Sequence, residues 1–67
     1  MTTDTDYEVR QEILHQIEKA DSQLKEINRL VNDHLPHGAP GRTVALIDIS
    51  LALSQLKFVR AEIGRPS

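Results

Sequence analysis

The chain contains no cysteine. That excludes a disulfide framework, a thiolate nucleophile and a zinc site built on thiolates. It has no excess of positive charge either: eight Lys and Arg against ten Asp and Glu leave a formal net charge of -2. Phosphate backbones are held by basic surfaces, so nucleic acid is not an expected partner. Long apolar runs are missing. The nearest, Val44 to Leu53, is interrupted by Asp48 and is too short to cross a bilayer, so no membrane association is expected. The acidic opening MTTDTDYEVR does not read as a secretory signal, and a cytoplasmic location is expected. Also missing are a Gly-rich phosphate loop, a Ser-His-acid arrangement and a carboxylate pair on an apolar cleft, so catalysis is not expected. What remains is 67 residues with 39% hydrophobic and 27% charged side chains, the composition of one small folded domain.

The first half has the pattern of one long helix over about 5–33. Thr5 followed by Glu8 reads as a capping box, and Asp4, Asp6 and Glu8 suit the positive end of a helix dipole. Val9, Ile13, Ile17, Ala20, Leu24, Ile27 and Val31 then recur every three or four residues, a narrow apolar stripe on a 3.6-residue period. Asp21 and Lys25 lie off the stripe at an attractive i,i+4 spacing. Pro36 disfavours helical geometry at Leu35 and ends the run. HLPHGAPGR, with two prolines and two glycines, gives a turn over about 34–42 that is too short to separate the halves. A second helix over about 43–63 follows, closed by Gly64 and Pro66. The fold class is therefore all-α, an antiparallel two-helix hairpin.

The second helix carries two apolar faces. Ala45, Ile49, Ala52, Leu53, Leu56, Val59 and Ile63 form a broad one, while Ile47, Leu51, Phe58 and Ala61 lie roughly opposite. A helix apolar on two sides needs neighbours on two sides, and one hairpin supplies only one. A two-helix hairpin is also small for an independent core. Homo-oligomerisation into a helical bundle through Ile47, Leu51 and Phe58 is the expectation.

Four residues are candidates for holding a ligand. Arg60 falls between Ile49 and Leu53 on the broad face, either pairing with a first-helix carboxylate such as Glu8 or Glu12 or anchoring an anion through its fork of donors. Arg42 stands where the second helix begins, among free backbone N–H groups that favour anions; the alternative is a solvated loop arginine. Arg65 and Tyr7 come near one another at the far end of a hairpin and, with Arg60, form a candidate cluster for a base and a phosphate. Tyr7 as a packing residue fits equally well. His34 and His37 are spaced for a metal but sit in a Pro/Gly turn with only Asp33 nearby, so no metal is expected. His15 lies on the polar face. No cofactor is expected.

The run Arg42-Thr43-Val44-Ala45-Leu46, then Leu51, Leu56, Phe58-Val59-Arg60-Ala61 and Pro66, resembles small anti-CBASS sponges of tailed phages, and the related anti-Thoeris sponges. The resemblance covers residues 42–66. It implies a compact helical oligomer that sequesters a cyclic nucleotide immune signal in the host cytoplasm, with Arg42 and Arg60 as the matching ligand positions. The family's central Arg-Thr pair falls on Asp48 and Ile49, so that part of its site is absent here, and Asp48 would repel a phosphate. The second helix also resembles the Leu-rich core of small type VI secretion immunity proteins, which bind a protein toxin. The expected function is thus a non-enzymatic binding protein, most sharply an anti-defence nucleotide sponge. The alternative is a protein-interaction module: an immunity protein, inhibitor or adaptor presenting a helical face. An RNA-binding hairpin dimer like the plasmid regulator Rop is disfavoured by the acidic balance.

Overall fold

Two helices folded back on each other account for nearly the whole chain. The computed structural model describes residues 2–65, with side chains from Thr5 onward. Helix α1 spans Thr2–His34 and helix α2 spans Arg42–Gly64. They pack together as a hairpin whose principal extents are 55 × 15 × 12 Å. Its radius of gyration of 15.9 Å exceeds the about 11 Å of a compact chain this long. The molecule is a rod.

The helices begin and end close to where the pattern puts them, with two corrections. Helix α1 starts at Thr2, so Thr5 lies inside it and cannot act as its N-cap in a capping box with Glu8. The Asp6 carboxylate accepts from Arg10 Nε at 2.8 Å, bridging one early turn, and acidic residues at the N-terminal end suit the dipole. Helix α2 includes Gly64, whose φ is not positive, so it does not serve as a left-handed cap. The cap is Arg65, in extended geometry.

The turn is built from two successive chain reversals. Ala39 N–H donates to Pro36 C=O at 3.0 Å, with Gly38 at φ +87° in the third position. Arg42 N–H then donates to Ala39 C=O at 3.1 Å, with Pro40 second and Gly41, at φ +81°, third. Proline followed by glycine is the pairing a type II turn favours, because proline presets the second residue's φ and the third must take positive φ. Gly41 C=O accepts the first helical bond of α2, from Ala45 N–H at 2.8 Å.

Between the helices, Ile17 and Ile49 are the buried apolar residues, flanked by half-buried Ile13, Leu14, Ala20, Leu24 and Val31 from α1. Helix α2 contributes Ala45, Leu46, Ala52, Leu53, Leu56 and Ile63. Val9, Ile27 and Val59 belong to the sequence stripes but remain about half exposed. On a helix turning about 100° per residue they sit near the edge of each contact face. Leu14 and Arg10 take places on the packed side that the stripe omits.

Candidate functional site

The arginines divide into two kinds, and the division follows from the hairpin's ends. Arg42 is 9% exposed and reaches back across the turn. Its Nε donates to Leu35 C=O at 2.9 Å, and its Nη2 donates to Asn32 Oδ1 at 3.0 Å and to Asn32 C=O at 3.4 Å. The last carbonyls of α1 have no partner within the helix, and a cation suits the negative end of its dipole. At the opposite end Arg10 does the same for α2, its Nη1 donating to Ile63 C=O at 2.9 Å. Each helix thus closes the C-terminal end of the other with a guanidinium. Arg10 escaped the sequence reading. Its one signal is position, a basic residue early in one helix that an antiparallel partner must end beside.

The remaining candidates are on the surface. Arg60 Nη2 lies 3.9 Å from Glu18 Oε1, a loose inter-helix pair with the arginine side chain 47% exposed. The partner is a first-helix carboxylate, one to two turns beyond Glu12. Arg65 Nη2 donates to Glu62 Oε1 at 3.1 Å, exposed, and Tyr7 is exposed near the start of α1. The proposed Tyr7, Arg60 and Arg65 cluster is not drawn around one point. Glu18, where Arg60 pairs, lies eleven residues along α1 from Tyr7, about 16 Å of helix. Arg42 and Arg60 are eighteen residues apart on α2, about 27 Å, and so cannot grip one small ligand within a single hairpin.

One concavity does run between the helices. It measures about 330 Å³ and is lined by Ile17, Asp21, Lys25, Leu53, Ser54, Leu56, Lys57 and Arg60. Its cations are partly answered: Lys25 Nζ pairs with Asp21 at 2.9 Å, the i,i+4 pair expected from sequence, and Arg60 leans to Glu18. Elsewhere on α1, Arg29 grips Glu26 with Nη2 at 2.6 Å from Oε1, which holds the Glu26 carboxyl below its ordinary pKa and raises that of Arg29. This exposed pair does not line the groove between the helices.

The outer face of α2 is the larger feature. Val44, Ile47, Leu51 and Phe58 are 62%, 55%, 58% and 68% exposed. Phe58 sits nine residues beyond buried Ile49, about 180° round the helix, so this stripe points directly away from α1. Leu46, Ile47, Ser50, Leu51 and Ser54 line a shallow depression along it. Val44 was absent from the predicted stripe; its signal is the seven-residue step from Val44 to Leu51 to Phe58.

Among the described residues no three His, Asp or Glu side chains are grouped to hold a metal ion. Among them, too, no helix is long and apolar enough to cross a membrane. No protein-family model, no curated protein and no solved structure is significantly similar to this chain.

Proposed function

We propose that this protein is a non-catalytic interaction protein that self-associates through the outer face of α2. The observation that carries this is the exposed stripe of Val44, Ile47, Leu51 and Phe58, set opposite the hairpin's own packing face. Complete burial of such a side chain is worth about 1.5–3 kcal/mol, so covering the exposed part of each gives about 1–2 kcal/mol. Four residues on each of two copies supply about 8–16 kcal/mol, comparable with the about 4–15 kcal/mol that association costs. Reversible, concentration-dependent assembly follows. The assembled bundle then presents the polar faces of α1 to a protein partner, in the manner of an immunity protein, inhibitor or adaptor.

Sedimentation velocity on the protein and on Leu51→Glu tests the reading. The unmodified protein sediments as a dimer or larger bundle at micromolar concentration. Leu51→Glu shifts to monomer or loses helicity, because a buried, unpaired carboxylate costs several kcal/mol on the order-of-magnitude scale of ion desolvation. An unmodified protein that stays monomeric at every concentration ends the proposal.

A second reading, sequestration of an anionic cyclic nucleotide, is supported by the groove that gathers Lys25, Lys57 and Arg60. In it Arg60 carries the ligand and Arg42 does not, since Arg42 is engaged with the Asn32 and Leu35 carbonyls. Calorimetry against cyclic di- and trinucleotides and cyclic ADP-ribose isomers decides it. Binding weakened at least about tenfold in Arg60→Met, a loss of about 1.4 kcal/mol, supports it, and no heat from the whole panel removes it.

A further inference from the structure

Resting on the self-association reading, we infer that the occupant of the α2 face is a second copy of α2 packed parallel and in register. The exposed stripe is a short heptad seam. Val44, Leu51 and Phe58 fall seven apart, and Ile47, Ser54 and Ala61 fall three residues after each. These are the a and d positions of a two-stranded coiled coil whose seam, from Val44 to Ala61, is about 26 Å long. All six are exposed, so none of the described residues covers the seam.

The flanking residues choose the direction. Thr43, Ser50 and Lys57 precede the a positions, and Asp48, Gln55 and Glu62 follow the d positions. In a parallel pair each residue of the first set meets the residue five further on in the other chain. Lys57 then faces Glu62 of the partner subunit, Ser50 faces Gln55 of the partner subunit, and Thr43 faces Asp48 of the partner subunit. One contact is an opposite-charge pair and the other two join hydrogen-bonding groups. An antiparallel pair instead sets each flank against its own kind. Asp48 then meets Glu62 of the partner subunit, twice by symmetry, and Lys57 meets only serine or threonine. Like charges across a seam are the usual device against a wrong orientation.

Within the hairpin Glu62 accepts from Arg65 at its Oε1 atom, in an exposed pair that is weakly held and leaves the second oxygen for Lys57. Ser54 faces its own copy at the centre of the seam, a small polar pair that favours the in-register alignment over a slip of one heptad.

The absence of cysteine makes a direct test clean. The variant Ala61→Cys is equilibrated in a glutathione redox buffer at concentrations where the unmodified protein is a dimer. Parallel packing brings position 61 against itself and gives a disulfide-linked dimer. A mixture of Val44→Cys with Ala61→Cys, which face each other only in the antiparallel pair, gives no mixed disulfide above the statistical background. Sedimentation equilibrium adds a charge test: Lys57→Glu weakens the dimer about fivefold, Glu62→Lys weakens it similarly, and the double exchange restores it, as two exposed pairs of modest strength predict. A mixed 44–61 disulfide with a dimer tightened by Glu62→Lys establishes the antiparallel arrangement and overturns the inference while sparing self-association. A monomer in both assays overturns the two together.

Discussion

Arg42 shows how a residue's chemistry and its fate in the fold separate. By sequence it stands at a helix start, where its guanidinium and the free N–H groups make a corner suited to an anion. In the structure that guanidinium turns to Leu35 and Asn32 carbonyls and closes α1. Arg42→Met is therefore expected to destabilise the hairpin by about 1–3 kcal/mol, the range for losing charge-assisted hydrogen bonds. Arg42→Lys recovers only part, because an ammonium lacks the fork that reaches two residues at once. Urea unfolding followed by circular dichroism, at one fixed protein concentration, measures both. A midpoint for Arg42→Met equal to that of the unmodified protein refutes the brace. Nothing in the sequence beside Arg42 marked this outcome, since Asn32 and Leu35 become its neighbours only once the turn has closed.

At the scale of elements, local chemistry decides most boundaries. Pro36 stops α1, and Pro40-Gly41 forms the reversal from which α2 starts. Gly41 takes φ +81°, and beyond its own chain neighbours nothing lies within 4 Å of where a Cβ would sit, so the demand for glycine there is conformational rather than steric. Gly41→Ala is expected to cost about 1 kcal/mol, the penalty of a left-handed geometry for a residue with a Cβ. Thermal unfolding reads this as a lowered midpoint with unchanged helicity, and an unshifted midpoint removes the argument. The N-terminal end of α1 was less legible. A Thr-x-x-Glu pattern can cap a helix or lie within one, and the Asp6–Arg10 bond belongs to the second case.

At the scale of the whole molecule, the hairpin leaves a great deal uncovered. Its surface of 5409 Å² exceeds the about 4,250 Å² of a compact protein of this mass. Ile17 and Ile49 are its buried apolar residues, and no described side chain is less than 2% exposed. Such a monomer has little to set against chain entropy. Under the proposed self-association, a second copy on α2 stabilises by mass action, so the unfolding midpoint is expected to rise with protein concentration across two decades. Calorimetric scans at about 5 and 500 μM check this, and coincident midpoints would speak against coupling between folding and assembly.

The sequence by itself determined the two helices, the turn, the face on which they meet and the second apolar face on α2. Each of these is written in local periodicity or in the φ demands of proline and glycine, which need no distant partner. Only the tertiary structure decided what the arginines do. Arg10 and Arg42 became end-closures because antiparallel packing sets the start of each helix beside the unsatisfied carbonyls of the other. Arg60 took Glu18 rather than Glu8 or Glu12 because the alignment of the two helices fixes which carboxylate stands opposite. Long side chains choose partners by a register that sequence spacing within one helix does not encode.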